Sequence, residues 1–289
     1  MRLPVPLALE IAAARAVAAL SRLAGTGGGT TVPGKLLWKI DPGAIDLLAA
    51  RLPAGSAVIS ATNGKTTTAA MAAAILRTRF RLAHNRSGAN LLSGVASTLL
   101  AAGDAELGLL EVDEGALSEA LRRVHPRAVC LGNLFRDQLD RYGELELVAH
   151  RWREAVAALP TDATVVVNAD DPQLSLFPAV TTFGIDDPRV ARHSLQHASD
   201  SKHCVRCGTP YEYAAVYIGH LGEYHCPHCG HERPALDIAA RSIELHGLER
   251  VTFELVLPEA TRTIELALPG LYNVYNALGA AALARALGA

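Results

Sequence analysis

Lysine is scarce in this 289-residue chain. Only four of its 27 basic residues are lysine (Lys35, Lys39, Lys65, Lys202), so Lys65 stands alone across a long central stretch. Aromatics make up 5% and charged residues 19%, while half the residues are hydrophobic. That much apolar material supplies a core and excludes a disordered chain. Gly and Pro show no period, which excludes collagen-like and mucin-like classes. The net charge of −2 lacks the basic excess of a nucleic-acid binder, and no nucleic-acid partner is expected. No transmembrane helix is evident: the apolar run from Leu3 to Ala24 is broken by Glu10, Arg15 and Arg22, and no signal-peptide pattern precedes it. It reads as an amphipathic surface helix, with peripheral membrane contact as the alternative. Cysteine is sparse as well. Four of the five form two C-x-x-C pairs, and Cys130 sits alone in an apolar run that reads as core. Without an export signal, this spacing indicates metal binding in a reducing compartment rather than disulfides.

What is present is an α/β rhythm. Gly25–Gly34 reads as a loop, Asp41–Leu52 as helical and Ser56–Ser60 as a short apolar strand running into an Ala-rich helix through about Arg77. Further strands are expected at Leu107–Val112, Ala128–Leu131, Thr164–Val167 and Val180–Phe183, with a helix at Leu145–Leu159. Short apolar strands alternating with helices indicate a mostly parallel sheet with helices on both faces. Between about 198 and 235 Cys, His, Tyr and Gly dominate and the rhythm stops. Val251–Leu257 and Thr263–Leu268 then read as a hairpin, and Val274 to about Leu287 as a final helix.

The strongest local signal is "SATNGKTTT" at 60–68. A strand, a small-residue turn, Gly-Lys-Thr and a helix build a phosphate site, because the turn's N–H groups and the helix N-terminus face an anion. Lys65 would reach the β- and γ-phosphates of ATP and the Thr66 hydroxyl would bind Mg²⁺. Ile59 stands where the strict pattern has its first Gly, and the bland alternative is an ordinary helix start.

The second signal is Cys204-x-x-Cys207, 18 residues, then Cys226-x-x-Cys229. Two such knuckles supply four thiolates to one tetrahedral, structural Zn²⁺. His203, His225, His228 and His231 crowd the segment, so a set of three cysteines and one histidine stays open, as do four unligated buried thiols. The segment carries Lys202, Arg206 and Arg233 against Asp200, Glu212, Glu223 and Glu232, so it is no basic patch. Glu111 ends an apolar strand, where Mg²⁺ ligands of nucleotide enzymes sit, although a solvated strand-end carboxylate is the alternative. Asp113 and Glu114 read as solvated neighbours. Asn273 and Asn276 share one helix face and could be an exposed cap pair.

Six segments in order resemble the Mur ligase family. "TNGKTTT" resembles its nucleotide loop, with Ala61 in place of the first Gly; "SGANLLSG" (87–94) its Asn-containing loop; "LLEVDEGAL" (109–117) its strand ending in a metal-binding Glu. "NLFRDQLDRYGE" (133–144) resembles its Asp-His-x-Asp segment, "VVNADDP" (166–172) its next strand end, and "PGLYNVYNALGAA" (269–281) its nucleotide-contacting helix. Gln138 replaces the usual His, and no lysine between Lys65 and Lys202 can provide the carbamylated lysine many members use. With the cysteine-rich insertion, these departures resemble the MurT branch.

The resemblance implies the family's central domain, P-loop-containing and mostly parallel, over residues 53–289. An inserted four-cysteine zinc ribbon would occupy about 198–235 and an N-terminal helical segment residues 1–52. It implies Lys65 and Glu111 as catalytic residues and Thr66 and Glu111 as Mg²⁺ ligands. Thr62, Asn63, Gly64, Lys65, Thr66, Thr67, Asn90, Asn273 and Asn276 would bind the nucleotide. It further implies ATP-dependent amidation of the D-glutamate α-carboxyl of lipid II through an acyl phosphate, with ammonia from the glutaminase GatD. The setting would be the cytoplasm, with contact at the inner face of the plasma membrane as the alternative. The family's C-terminal domain is not expected within these residues, and this chain, alone or with GatD, is expected not to amidate lipid II. The alternatives are a folylpolyglutamate-synthase-like amide ligase and a non-catalytic ATP-binding zinc-ribbon module.

Overall fold

The computed structural model describes residues 31–85, 88–136, 145–178, 181–192, 194–195 and 199–289. The helix expected between Leu3 and Ala24, and Asp137, Gln138 and Asp140, lie outside them. The helices are α1 (Val32–Ile40), α2 (Ala44–Ala49), α3 (Lys65–Leu76), α4 (Leu92–Leu100), α5 (Leu117–Val124), α6 (Leu145–Ala157) and α7 (Leu271–Ala286). The strands are β1 (Ser56–Ser60), β2 (Leu82–His84), β3 (Leu107–Glu111), β4 (Ala128–Leu131), β5 (Thr164–Asn168), β6 (Thr181–Ile185), β7 (Glu212–Ile218), β8 (Leu221–His225), β9 (Ile238–His246), β10 (Arg250–Val256) and β11 (Thr261–Leu266).

Nine strands form one sheet in the order β11-β10-β9-β6-β5-β4-β1-β3-β2, and β7 and β8 pair apart as a hairpin. From β2 to β9 every pairing is parallel, and β10 and β11 extend the edge antiparallel. Alternate residues supply two cores. Val58, Leu110, Val129 and Val165 face α1, α2, α4, α5 and α6, whereas Ala57, Ile59, Leu109, Cys130 and Val166 face α3 and α7. Buried on both faces, these strands read as apolar runs rather than alternations.

The chain passes from β1 to β2 and β3 on one side, then crosses to β4 on the other. The C-terminal end of β1 is therefore the switch point where the strand order reverses and a crevice opens. The phosphate-loop sequence leaves the sheet there, with Glu111 ending β3 on one flank and β4 on the other.

Some local expectations change. Val32–Gly34 belong to α1 rather than a loop: Pro33 sits in its first turn, where a missing N–H costs nothing. A Cβ on Gly34 would lie 1.9 Å from the Ser93 carbonyl of α4, so glycine is what lets α1 and α4 meet. Asp41–Leu52 is not one helix. The Asp41 carboxylate accepts from Gly43 N–H at 2.9 Å in an Asp-Pro-Gly turn, and α2 starts after it.

Candidate functional site

Thr62, Asn63 and Gly64 make the turn between β1 and α3. Gly64 adopts a left-handed φ of 86°, which aims the following N–H groups along the start of α3. The turn is tied to the segment after β4. Thr62 N–H donates to the Asn133 carbonyl at 2.9 Å, and Asn63 N–H donates to Asn133 Oδ1 at 2.8 Å. Asn133 Nδ2 returns a bond to the Asn63 carbonyl at 2.9 Å, and Phe135 N–H donates to Thr62 Oγ1 at 3.0 Å. The loop is thus held in shape by its own chain, and the first N–H groups of α3 are left for an anion.

Lys65 turns back over this loop. Its ammonium donates to the carbonyls of Ala61 and Thr62 and pairs with Glu114 Oε2 at 2.8 Å. Asp113 and Glu114 are both buried, not solvated as the sequence suggested, and the Glu114 carbonyl accepts from the Trp152 indole N–H of α6 at 2.9 Å. Thr66 Oγ1 donates to Glu111 Oε1 at 3.1 Å, so the hydroxyl and carboxylate proposed to share a metal converge. Burial raises the Glu111 carboxyl above its ordinary range, opposed by the Thr66 hydroxyl, the Lys65 charge and Asn90. A divalent cation would relieve that cost, and a hydroxyl beside a carboxylate is a hard-oxygen set that suits Mg²⁺. Asn85 clamps the Glu111 backbone, accepting from its N–H at 2.8 Å and donating to its carbonyl at 2.7 Å. The Asn90 carbonyl receives Asp113 N–H at 2.9 Å, which brings the Asn90 loop to the end of β3. Thr67 lies in the first turn of α3.

Asn273 and Asn276 are buried, so the exposed-cap reading is wrong. Asn273 Nδ2 donates to the Pro269 carbonyl at 2.7 Å, and its Oδ1 accepts from Asn276 Nδ2 at 3.1 Å. Asn276 Oδ1 accepts from Thr68 of α3 at 3.2 Å and lies 2.1 Å from where a Gly64 Cβ would stand. The start of α7 therefore closes over the phosphate turn. Four polar residues described in this neighbourhood were not among the sequence candidates: Thr68, Asn85, Asn133 and Glu114. Glu114 was legible as a charge beside Glu111, whereas Asn85 and Asn133 show their roles only once β2 and β4 flank β3 and β1.

The four paired cysteines converge, with all Sγ atoms within 4.8 Å of one another. Cys204 and Cys229 sulfurs lie 3.5 Å apart, as do those of Cys207 and Cys226. A disulfide needs about 2 Å, whereas the edge of a tetrahedron with Zn–S bonds of about 2.3 Å is about 3.8 Å. The set fits one Zn²⁺ held by four thiolates. Thr209, through its hydroxyl and its backbone N–H, draws the Cys207 thiol down to about 5. At Cys229 the His231 N–H favours the thiolate, yet desolvation and the three sulfurs beside it push the thiol up to about 12. Four thiolates this close need a cation between them. His231 is not a fourth ligand in place of a cysteine: its Nδ1 meets the Tyr211 hydroxyl at 2.7 Å and its Nε2 meets Ser175 Oγ at 2.9 Å. The hairpin β7–β8 carries the knuckles, completing a ribbon between β6 and β9.

Asp170 fastens the ribbon to the sheet. Its carboxylate accepts from Arg233 at 3.1 Å, from Ile185 N–H at 2.9 Å and from the Tyr275 hydroxyl of α7 at 2.6 Å. Cys130 is a core residue, buried beneath α7.

The Mur ligase middle domain matches residues 59–228. The chain is 35% identical over 279 residues to the MurT subunit of lipid II isoglutaminyl synthase (glutamine-hydrolysing) from Streptococcus pneumoniae, covering 93% of this chain and 60% of that relative. It is 29% identical over 266 residues to the MurT subunit from Staphylococcus aureus strain N315, covering 90% and 59%. Among solved structures, a pseudomurein peptide ligase type C from Methanothermus fervidus superposes with a TM-score of 0.69 at 25% identity, over 83% of this chain and 48% of that one. MurF from Acinetobacter baumannii gives 0.62 at 18% identity, over 90% and 47%, and shares the fold. The chain spans about three-fifths of the MurT relatives it matches. With a P-loop-like turn at the sheet's switch point, and a family model matching more than half of its residues, the chain belongs to the Mur ligase family.

Proposed function

We propose that residues 53–289 form the ATP-binding centre of a ligase that amidates the α-carboxyl of D-glutamate in the lipid II stem peptide. In this reading α1 and α2, just N-terminal to these residues, pack into the same core, about 198–235 are the zinc-ribbon insertion, and GatD is the glutaminase partner that supplies ammonia. The observation that carries the reading is the convergence of Lys65, Thr66 and Glu111 at the switch point, with Thr66 Oγ1 3.1 Å from Glu111 Oε1. Support for the substrate and the ammonia source comes from the MurT relatives, whose name states lipid II and glutamine hydrolysis.

The chemistry follows from charge. The γ-phosphoryl group of ATP passes to the substrate carboxylate, giving an acyl phosphate. Ammonia then attacks the acyl carbon, the C–O bond to phosphate breaks, and the attacking nitrogen loses a proton. The N–H groups at the start of α3 and the Lys65 ammonium stabilise the negative oxygens of the transferring group. Bound Mg²⁺, held by Thr66 and Glu111, would supply further charge neutralisation on the phosphates. Asn276, beside Gly64, would position the nucleotide.

The test has two arms. Calorimetry with ATP and Mg²⁺ should give binding to the wild type that Lys65→Ala weakens by about tenfold or more, since a charged hydrogen-bond donor is lost. Mass spectrometry of lipid II incubated with GatD, ATP, Mg²⁺, glutamine and this chain extended by the family's C-terminal domain should show carboxyl OH replaced by NH₂. Equal ATP affinity of the wild type and Lys65→Ala overturns the nucleotide site, and unchanged lipid II overturns the amidation.

A further inference from the structure

The phosphate turn has no secondary structure of its own at Thr62 and Asn63, so its shape is set by Asn133–Phe135. That segment is tied to Asp171 after β5 and, around it, to the ribbon. Leu134 N–H donates to Asp171 Oδ2 at 2.7 Å, and His220 Nε2 lies 3.3 Å from Asp171 Oδ1. The Phe135 and His220 rings are 4.6 Å apart at a 50° tilt. A Cβ on Gly219 would stand 2.8 Å from Phe135 Cε1, so the β7–β8 turn sits directly on the ring. Arg136 N–H donates to Asp200 Oδ2, at 3.1 Å, on the strand of chain that enters the ribbon.

The turn is tied in its own right to the cysteine cluster. The Tyr213 hydroxyl donates to the His220 carbonyl at 3.1 Å and the Ser201 carbonyl at 2.9 Å. Its ring packs edge-on against Tyr211 and tilted against Tyr224, which share a small core with Cys204 and Cys226. An unbroken series of contacts thus runs from the sulfurs through Tyr213 and His220 to Phe135 and Thr62. A buried platform of this kind holds a loop in one conformation without touching the ligand, which lowers the ordering cost of binding.

We propose that the ribbon tip is a positioning element for the phosphate loop, acting through His220 and Phe135, so that ATP affinity depends on an intact metal-loaded ribbon. The proposal rests on the nucleotide reading of the loop, and the experiment separates the two. ATP binding is measured by calorimetry, and zinc content by elemental analysis, for wild type, Lys65→Ala, Phe135→Ala, Cys207→Ser and the double variant Phe135→Ala/Cys207→Ser. Phe135→Ala should keep its zinc and bind ATP about tenfold more weakly. Cys207→Ser should lose zinc and weaken ATP binding by a similar factor. In the double variant the losses should not multiply, because both break one series of contacts. Phe135→Ala binding ATP like wild type while Lys65→Ala does not overturns the brace and leaves the nucleotide site standing, as do losses that multiply in full. Wild-type affinity in Lys65→Ala overturns the nucleotide site itself. If Phe135→Ala does not fold, His220→Leu, which keeps an apolar contact on Phe135 but loses Asp171, decides by the same readouts: weakened ATP binding supports the brace and wild-type affinity overturns it.

Discussion

The Lys65 ammonium lies 2.8 Å from Glu114 Oε2, and the two side chains are 11% and 3% exposed. The lysine proposed to meet phosphate is therefore already paired with a buried carboxylate, whose other oxygen has no hydrogen-bond partner among the described residues. A triphosphate arriving at the turn competes with Glu114 for the same cation. Glu114→Gln removes the countercharge and should destabilise the nucleotide-free protein by about 1–3 kcal/mol, the cost of leaving a buried polar group poorly partnered. ATP should then raise the melting temperature more in the variant than in the wild type, because phosphate restores the missing charge. Thermal denaturation with and without ATP and Mg²⁺ measures this, and equal rises would show that Glu114 and phosphate do not compete.

Gly64 is the position where backbone conformation and ligand chemistry meet. Its left-handed φ costs an L-residue about 1–2 kcal/mol, and an added Cβ would strike Asn276 Oδ1. Gly64→Ala should therefore displace Asn276 from Thr68 and Asn273, and lower ATP affinity by about a hundredfold, as small misplacements at such sites do. Wild-type affinity by calorimetry would show that the turn has room to spare.

The strands lining this crevice were legible because burial on both faces leaves continuous apolar runs. Ser56–Ser60 and Ala128–Leu131 match their strands end to end. The strand–turn–helix around Gly64 and the converging cysteine knuckles were legible because residue type and spacing mark both. Val32–Ile40 was not, because Pro33 and Gly34 signal a turn locally and only the approach of α4 explains them. Ile238–His246 was missed for a related reason. Its alternation breaks where Ser242 takes a positive φ, opposite a register shift in β10. Glu114 was misread because its burial depends on Trp152, 38 residues downstream.

The five thiols should separate cleanly by reactivity. Burial pushes the Cys130 thiol up to about 12 and leaves it no access to solvent. The metal-loaded native chain should take up no alkylating reagent at Cys130 and little at the cluster. Chelation should expose the four paired cysteines and still protect Cys130, which reacts only on unfolding. Peptide mass mapping after each step reads this, and early labelling of Cys130 would contradict its place beneath α7.

Asp170 joins three parts of the molecule, and its titration gives a pH dependence with a definite sign. Burial pushes its carboxyl up to about 6, against the pull of Arg233, Ile185 N–H and the Tyr275 hydroxyl. In an unfolded chain the same group titrates near 3.9. Between those values the folded state holds a proton that the unfolded state has released, so this group's contribution to stability falls as pH rises. It is fully present below the unfolded value and is lost as pH passes through about 6. Asp170→Asn cannot titrate, so it removes this contribution while also leaving Arg233, 12% exposed, without its buried anion. The variant should be less stable than the wild type at every pH. The gap should narrow by about 1 kcal/mol between pH 5 and pH 7.5, the part of the shift titrated in that window. Denaturant midpoints of both proteins at the two pH values, at matched zinc loading, make the comparison. A gap that widens with pH would place the folded Asp170 below its unfolded value, and would mean that Arg233, Ile185 and Tyr275 outweigh its burial.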